Sequence, residues 1–342
     1  MKTVLVTGAG GYIGSILVPK LLGRGYAVKA VDRYFFGMDK LSAHENLTVI
    51  QADTRRMQPD YFAEVDAVID LVAISNDPSG ELFKDATFAT NHVSRVHTAT
   101  LAKNFGVKRY ILPSSCSLYG FQEQDMIVDE TSPTNPLSNY AIATEKAEQG
   151  VLPLADERFT VTVMRQATVY GYSPRMRFDL AINGMAYGAW ENGVIPLMRD
   201  GTQWRPFVHV DDTTDVMCLL LDADAKTINR QIFNIGSNNN NYQLGKLAEE
   251  ITKALPKDIT IEWYGDPDHR SYRVNFDKVE SALNWKAKWT GADGALEVYR
   301  HLEAGTLKKS TQTITLDWYK ELIKWHKIIK DAELHGGIID IG

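Results

Sequence analysis

The apolar positions along the chain alternate between short strand-like runs and helical patterns. The first run, Val4-Leu5-Val6, leads into glycines, and apolar residues then recur at helical spacing over residues 12–22. Similar runs follow at residues 27–31, 47–52, 67–73, 110–113 and 159–164, with helical stretches between them. This alternation predicts an α/β fold whose parallel, doubly wound sheet occupies about the first 165 residues.

Beyond about residue 170 the pattern loosens into longer loops with short strands and helices. Two later runs, at residues 207–212 and 231–236, are predicted to be strands that return to the first sheet. Residues 315–330 have an amphipathic helical pattern carrying Trp318, Tyr319 and Trp325, which we expect to pack in the core. The sequence thus predicts a sheet-containing part followed by a smaller part, with an approximate boundary.

Three glycines, Gly8, Gly11 and Gly14, lie between the first strand and the first helix. In such a unit the first allows a tight turn, the second leaves room for a pyrophosphate, and the third lets helix and strand pack closely. The second strand ends in Asp32, whose carboxylate can accept both ribose hydroxyls of NAD and would repel a 2′-phosphate. The pattern predicts an NAD site, and the adjacent Arg33 leaves NADP as an alternative.

The overall composition indicates a globular protein without a nucleic-acid-binding surface. Of 342 residues, 44% are hydrophobic and 23% charged, and the formal net charge is −6. Local arginine clusters should therefore serve a small phosphate-bearing ligand. Because no apolar run reaches the length of a membrane span and the chain starts with a strand, we expect a cytoplasmic protein. Cys116 and Cys218 lack metal-ligand spacing, so no metal site is predicted.

Several motifs occur in an order that resembles one known family. They are the Gly-x-x-Gly-x-x-Gly loop, Ser114-Ser115-Cys116-Ser117-Leu118-Tyr119-Gly120, residues 139–146 with Tyr140, Arg165-Gln-Ala-Thr168-Val-Tyr170-Gly171, and residues 201–212. The set resembles the extended short-chain dehydrogenase/reductase family, which includes the NAD-dependent nucleotide-sugar epimerases and dehydratases. The resemblance implies a Rossmann-type NAD-binding domain over residues 1–170 and a smaller nucleotide-sugar-binding domain over residues 171–342.

The resemblance also implies which residues meet the cofactor. Asp53 would face the adenine amino group, or would only cap the turn that follows it. The loop containing Ser75 and Asn76 would pass near the nicotinamide and the sugar. The implied cofactor set is Gly8, Gly11, Tyr12, Ile13, Gly14, Asp32, Arg33, Asp53, Thr54, Leu71, Ala73 and Tyr140.

Two residues match the catalytic pair of the family, in which a tyrosinate takes the proton of a sugar hydroxyl and a Ser or Thr hydroxyl holds the same oxygen. Ser115 and Tyr140 occupy these positions. The family has a Lys four residues after the Tyr, but this chain has Thr144. Lys146 lies about 600° around the helix from Tyr140 and is a poor substitute.

Three interpretations of Thr144 stay open. In the first, the enzyme uses another cation or water near Thr144, and the charge of the oxidised nicotinamide lowers the pKa of Tyr140. In the second, the enzyme is altered or has lost turnover while it keeps its ligands. In the third, Tyr140 only packs, and the chain is an NAD-dependent binding protein.

Residues 116 and 117 narrow the reaction within the family. Its 4,6-dehydratases carry Asp or Ser followed by Glu here, because elimination of water needs a base and an acid. Cys116 and Ser117 supply no carboxylate, so 4,6-dehydration is disfavoured. Cys116 is interpreted either as an acid or base or as a small neutral residue that lines the pocket, and Ser117 belongs to the implied catalytic set.

The resemblance implies that arginines bind the nucleotide end of the substrate, because a guanidinium can donate two hydrogen bonds to phosphate oxygens. Arg205 would bind the ribose or diphosphate, and Arg270 would clamp the same diphosphate, with Arg273 as the alternative. Thr168 stands where an Asn commonly meets the substrate. The implied substrate set, which includes two weaker arginine candidates, is Ser75, Asn76, Thr168, Arg175, Arg177, Arg205 and Arg270.

These features favour an NAD-dependent epimerase that oxidises a ring hydroxyl of a nucleotide sugar, usually at C4, and returns the hydride to the other face of the keto-sugar. The alternatives are a net 4-dehydrogenase or 4-ketoreductase and a non-catalytic NAD-dependent binding protein. The resemblance further implies a homodimer through a four-helix bundle made from residues 91–105 and 140–156 of each subunit.

Overall fold

The computed structural model describes residues 1–122, 126–266 and 271–333. The strands are β1 (Thr3–Thr7), β2 (Ala27–Asp32), β3 (Leu47–Gln51), β4 (Ala67–Asp70), β5 (Arg109–Ser115), β6 (Ile127–Val128), β7 (Thr160–Gln166), β8 (Thr168–Tyr170), β9 (Val194–Met198), β10 (Trp204–His209), β11 (Gln231–Ile235), β12 (Asn241–Gln243), β13 (Thr260–Tyr264) and β14 (Arg273–Val274).

The α-helices are α1 (Gly14–Gly23), α2 (Asp77–Leu82), α3 (Lys84–Phe88), α4 (Ser94–Asn104), α5 (Asn139–Val151), α6 (Ala181–Asn192), α7 (Val210–Asp222), α8 (Ala225–Ile228), α9 (Leu244–Ala254), α10 (Asp277–Leu283), α11 (Gly291–Glu303) and α12 (Thr315–Ala332). A π-helical segment, Ala89–Val93, connects α3 to α4. Within the described ranges, no helix combines the length and the apolar character needed to cross a membrane.

A seven-stranded parallel sheet forms the centre of the first part, in the order β3-β2-β1-β4-β5-β7-β11. The chain starts in the middle, builds outward to β3, and returns to the other side of β1 at β4. Ligands bind where the strand order reverses in this way, outside the carboxyl ends of the strands. The predicted Rossmann-type α/β fold is confirmed.

The sheet is apolar on both faces because helices cover each side. In β1, Val4 and Val6 face one buried layer and Leu5 faces the other. Helices α4 and α5 cover the second layer, where Ala99 and Ala147 are fully buried. Small side chains at these positions let the helices approach the strands closely.

The second part has its own core, to which α6, α9 and α11 contribute. Its strands form small sheets: β8 and β10 run parallel, β12 pairs antiparallel with β10, and β9 pairs with β13. The two predicted returning strands therefore behave differently. Strand β11 joins the edge of the seven-stranded sheet beside β7, as expected.

The expectation that residues 207–212 return to that sheet is wrong. Phe207 lies opposite Thr168 of β8, and its ring packs with Tyr170 and Tyr242 in the second core. The strand also ends earlier than predicted, because α7 begins at Val210 with His209 as its capping residue. The same short strand contributes Val208 to the first core, so it connects the two parts.

The C-terminal helix α12 contacts the first part through its first turns. The Trp318 indole Nε1 donates a 2.6 Å hydrogen bond to the Phe35 carbonyl oxygen, and the Tyr319 ring lies 5.9 Å from that of Phe36. Trp325, in contrast, is 53% exposed. Its predicted core position is wrong, because the second half of the helix extends beyond the body of the protein among the described residues.

Candidate active site

A cleft of about 1180 Å³ opens at the carboxyl ends of the parallel strands. Its floor is formed by the segments after β1 and β4 and by the end of β5, and the second part and α12 supply the other walls. Most of the residues implied by the sequence line it: Gly8, Gly11, Tyr12, Ile13, Gly14, Asp32, Arg33, Asp53, Thr54, Leu71, Ala73, Ser75, Asn76, Ser115, Ser117, Tyr140, Thr168, Arg175, Arg177 and Arg205.

The glycine loop is shaped by backbone contacts that exclude side chains. Gly8 has φ +65°, and a Cβ there would lie 2.9 Å from the carbonyl carbon of Leu71. A Cβ on Gly14 would lie 2.4 Å from the Gly8 carbonyl oxygen. Because backbone atoms surround these two positions, the loop can fold only with glycine, and α1 begins directly against it. The loop thus retains the open cradle that a pyrophosphate requires.

Asp32 ends β2 with its carboxylate toward the glycine loop. One oxygen accepts a 3.0 Å hydrogen bond from Gly10 N and the other accepts 2.7 Å from Tyr34 N. Burial raises the pKa of Asp32, and these backbone donors oppose the rise. Each oxygen retains acceptor capacity toward the cleft, since a carboxylate offers about four acceptor sites.

Asp53 is held by two arginines at the far end of the cleft. Arg55 contacts both of its oxygens, and Arg33 NH1 lies 3.2 Å from Oδ2. The Arg33 guanidinium also lies 4.3 Å from the centroid of the Phe35 ring. The Asp53 side chain caps the 3₁₀ turn Thr54–Arg56 by accepting from Arg55 N, so the capping interpretation is confirmed. The adenine contact stays a prediction.

Tyr140 and Ser115 come together at the cleft floor, as the motifs predict. Ser115 is the last residue of β5, and Tyr140 lies in the first turn of α5, which the Ser138 side chain caps at Ala141 N. The Ser115 hydroxyl and the Tyr140 phenol both line the cleft there. Burial raises the pKa of Tyr140, and the charge of Arg95, followed by the Ser115 hydroxyl, opposes that rise.

Thr144 does not face the cleft. Its hydroxyl is buried and donates a 2.8 Å hydrogen bond to the Tyr140 carbonyl oxygen in its own helix. A hydroxyl turned to the backbone cannot act on a ligand. This orientation argues against Thr144 as a catalytic residue. Lys146 is exposed on the opposite side of the helix, as its spacing predicts.

Ser117 and Cys116 point in opposite directions. Ser117 lines the cleft, and its buried hydroxyl has no hydrogen-bond partner among the described residues. Cys116 is fully buried in the core beneath the sheet, and its thiol lies 3.2 Å from the Arg165 carbonyl oxygen. Burial raises the pKa of this thiol well above its ordinary value. Cys116 is not among the residues that line the cleft, which argues against its roles as an acid or base and as a pocket-lining residue.

A charged cluster forms beside the catalytic pair. Arg177 makes a two-point ion pair with Asp179, and its NH1 lies 3.1 Å from the Ser75 hydroxyl. Asn76 donates to the same carboxylate at 3.0 Å while its oxygen caps α2 at Ser79 N. Asp179 was not predicted from the sequence, although an acidic residue two positions after an arginine could have indicated the pair.

Arg175 is the buried cation of the cleft with spare donors. Its NH2 donates 3.0 Å to the Thr315 hydroxyl and its guanidinium lies 3.6 Å from the centroid of the Phe36 ring. Its Nε and NH1 have no hydrogen-bond partner among the described residues. Burial and the adjacent Arg177 lower the pKa of Arg175 to about 9. These donors suit an anionic group.

The nucleotide-side candidates lie on the second part. Thr168 begins β8 at the cleft edge. Arg205 lies in β10, where its NH1 donates 2.8 Å to the Trp204 carbonyl oxygen and its guanidinium lies 5.5 Å from the Tyr272 ring centroid. The predicted clamp, Arg270, lies outside the described residues.

An aromatic wall at the Asp32 end was missed by sequence analysis. Phe35 and Phe36 follow β2, and Tyr319 of α12 packs on both of them and on Phe83. All four rings line the cleft. The residues are about 280 positions apart in the chain, so local periodicity carries no signal for this contact.

Comparison with known proteins agrees with this geometry. Residues 4–236 match the model of the NAD dependent epimerase/dehydratase family. The chain is 27% identical to the UDP-glucuronate 4-epimerase of Thermodesulfobacterium geofontis over 351 aligned positions, which cover 96% of this chain and the whole of that protein.

Solved structures share the fold. The UDP-glucuronic acid 4-epimerase from Bacillus cereus, in complex with UDP-glucuronic acid and NAD, has a TM-score of 0.79 at 22% identity, covering 88% of this chain and 99% of that one. MoeE5 in complex with UDP-glucuronic acid and NAD has a TM-score of 0.77 at 24% identity, covering 89% and 99%. The chain therefore belongs to the NAD dependent epimerase/dehydratase family, as its motifs predict.

Proposed function

We propose that the chain is an NAD-dependent C4 epimerase of a UDP-activated sugar. The observation that carries the proposal is that Tyr140 and Ser115 line the same cleft as the glycine loop and Arg175. The kinship with UDP-glucuronate 4-epimerase supports both the carbon and the nucleotide.

The residues at one end of the cleft fit NAD. The glycine loop offers a cradle that a Cβ would fill, and Asp32 offers carboxylate oxygens for ribose hydroxyls. Tyr12 and Ile13 lie between the loop glycines, and the Arg175 donors would meet the diphosphate. Asp53, Thr54, Leu71 and Ala73 would surround the adenosine and nicotinamide ends. When bound, NAD supplies the acceptor and then the donor of a hydride.

Proton transfer belongs to the chain's own residues. The Tyr140 oxygen takes the proton of the sugar hydroxyl as the C–H hydride leaves, and the Ser115 hydroxyl holds the same oxygen while the carbonyl forms. After the keto-sugar turns over, hydride returns to its other face and Tyr140 gives the proton back. Ser117, whose hydroxyl has no partner, would bind a neighbouring sugar hydroxyl.

The rest of the substrate would lie along the second part. We assign Arg205 and Arg270 to the diphosphate, and Ser75, Asn76, Thr168 and Arg177 to the sugar side. The proposed domains are residues 1–170 for NAD and residues 171–342 for the nucleotide sugar, except that Ser75, Asn76 and Thr168 of the first would reach the sugar and Arg175 of the second would reach NAD. Since no carboxylate stands at positions 116 and 117, elimination of water is not part of the proposal.

We further propose a homodimer through a bundle of α4 and α5 from each subunit, in a cytoplasmic protein. Val93, at the start of α4, is 59% exposed, and His97 and Lys146 are exposed on the same pair of helices. The two helices pack closely: a Cβ on Gly150 would lie 2.5 Å from a methyl group of Val96. The exposed faces of α4 and α5 therefore lie side by side, where the second subunit would pack.

The test begins with mass spectrometry of the small molecules that the purified protein releases on denaturation. The protein is then incubated with UDP-glucuronate, UDP-glucose, UDP-arabinose and UDP-N-acetylglucosamine, while product isomers and the NADH absorbance band are followed. Retained NAD and a C4 epimer without net NADH are expected. Tyr140→Phe should abolish turnover, whereas Tyr172→Phe, a ring stacked on His301 outside the cleft, should not.

Other outcomes select the alternatives. Net NADH would indicate a 4-dehydrogenase or ketoreductase. Binding without turnover, in both the natural chain and Thr144→Lys, would indicate a non-catalytic binding protein. A large gain from Thr144→Lys would indicate an enzyme weakened by the missing lysine.

A further inference from the structure

Arg95 is a buried cation that lies outside the lining of the cleft. It lies on α4 with 3% exposure, on the side of the helix that packs against the second layer. Three backbone carbonyl oxygens accept from its guanidinium: Val72 from Nε at 3.0 Å, Pro113 from NH1 at 2.9 Å and Asp70 from NH2 at 3.1 Å. Such a set fixes the position of the charge.

These carbonyls belong to the floor of the cleft. Val72 itself lines the cleft, and Pro113 is two residues before Ser115, which lines the cleft with Tyr140. The Arg95 charge therefore lies directly behind the ends of β4 and β5, on the protein side of the catalytic pair.

The position matters because a tyrosine accepts a proton only as the phenolate. No lysine lines the cleft among the described residues, and the Thr144 hydroxyl is turned to its own helix. A charge close to a titrating group shifts its pKa by about one to three units. Burial favours the protonated phenol of Tyr140, and a cation nearby opposes that effect.

The charges that act on Tyr140 come from three elements. Arg95 on α4 has the largest charge effect toward the phenolate, Asp77 on α2 opposes it, and Arg177 assists more weakly. The Arg177 charge is already offset by its ion pair with Asp179. Among these groups, Arg95 is therefore the cation with the largest effect on Tyr140.

Asp70 is the carboxyl group that faces Arg95. It lies at the end of β4 and accepts hydrogen bonds from the Thr7 and Tyr110 hydroxyls. Burial raises the pKa of Asp70, although Arg95 opposes the rise. Asp70 is therefore a second carboxyl group, besides Asp77, that opposes the effect of the Arg95 charge on Tyr140.

We propose that Arg95 is the positioning residue that stands in for the absent lysine, its buried charge favouring the phenolate of Tyr140 from behind the cleft floor. The catalytic role of this charge rests on the proposed function. The inference agrees with the first of the three interpretations of Thr144, in which the enzyme uses another cation.

The direct test measures the ionisation of Tyr140 without turnover. Protein labelled with ¹³C at the tyrosine Cζ is titrated by NMR in the presence of NAD, and Tyr140→Phe assigns the signal. In Arg95→Gln the Tyr140 pKa should rise by about one unit or more. In Arg95→Lys, which keeps the charge, it should stay within about 0.3 units of the natural chain.

Turnover supplies a second readout. In Arg95→Gln the rising limb of the kcat–pH profile should move to higher pH, and activity should recover at alkaline pH. Arg95→Lys should return the limb to the pH at which the natural chain shows it. A merely structural defect would lower kcat at every pH. If Arg95→Gln does not fold, Arg95→Met, which removes the charge and keeps much of the side-chain volume, replaces it in the comparison with Arg95→Lys.

Arg109→Met is the matched control. Arg109 is also a partly buried arginine that donates to a backbone carbonyl, that of Leu220, but it lies at the opposite end of β5. Its removal should leave the Tyr140 pKa and the pH profile unchanged.

The outcomes separate this inference from the proposed function. A Tyr140 pKa that is the same in Arg95→Gln and the natural chain overturns the inference, whether or not the chain epimerises a sugar. A pKa that rises in Arg95→Gln, in a chain inert toward every UDP-sugar, supports the charge relationship and rejects the proposed function.

Discussion

Arg177 and Asp179 form a two-point ion pair in the cleft wall, with Nε 3.1 Å from Oδ1 and NH2 2.7 Å from Oδ2. Both side chains are largely buried. Although burial opposes ionisation, the arginine charge and hydrogen bonds lower the pKa of Asp179 to about 2. The folded protein therefore stabilises the ionised carboxyl group relative to the unfolded chain.

This pair predicts a pH-dependent loss of stability in Asp179→Asn. Because the folded pKa lies below the unfolded value of 3.8, the stabilisation is complete above about pH 4 and disappears as the pH falls toward 2. The natural chain should exceed the variant by about 2 to 4 kcal/mol in urea unfolding at pH 6. The difference should narrow by pH 3, and parallel pH curves would contradict the prediction.

Arg175→Met should weaken NAD binding by about tenfold or more, as measured by calorimetry. Two buried donors of Arg175 have no hydrogen-bond partner among the described residues, and we expect the diphosphate of NAD to accept from them. Arg24→Met is the control, since Arg24 pairs with Asp215 away from the cleft. Equal affinities in the two variants would remove Arg175 from the cofactor site.

Gly14→Ala should lose NAD binding and about 1 to 3 kcal/mol of stability, because the new Cβ would meet the backbone oxygens of Gly8 and Ala9 at 2.4 and 2.5 Å. Gly23→Ala, at the other end of α1, has open space around the same methyl group. It should be neutral or slightly stabilising, as alanine favours helix. Thermal unfolding with and without NAD compares them, and similar losses would contradict the packing argument.

Val93→Arg should convert the proposed homodimer to a monomer, because it places two like charges, one from each subunit, in the bundle where an exposed apolar residue now lies. Leu219→Arg, on the exposed face of α7, is the control. Sedimentation velocity at micromolar concentration gives the mass. A natural chain that is already a monomer would refute the bundle.

The sequence predicted those features whose cause is local. The glycine loop, Asp32 at the end of β2 and the alternation of strands with helices follow from backbone conformation and side-chain period, which short stretches determine. Ser115 and Tyr140 meet because one ends a strand and the other begins a helix at the same sheet edge.

The sequence did not predict features that depend on which way a side chain turns. Thr144 and Cys116 stand at expected positions, but helix geometry directs the first to the backbone and core packing directs the second away from the cleft. Arg95 was overlooked because it lies on the buried side of α4, where a charged residue seldom stands without partners. Its partners are carbonyl oxygens, which the sequence does not display.

The wall that α12 forms has a consequence for the order in which the site is made. The glycine loop is among the first segments to leave the ribosome, whereas Thr315 and Tyr319, which complete the cleft around Arg175 and Phe36, are added about 300 residues later. A nascent chain therefore contains the glycine loop before α12 is present to complete the cleft. We expect tight NAD binding only after α12 has been synthesised, and a chain truncated before this helix would leave the Asp32 end of the cleft exposed to water.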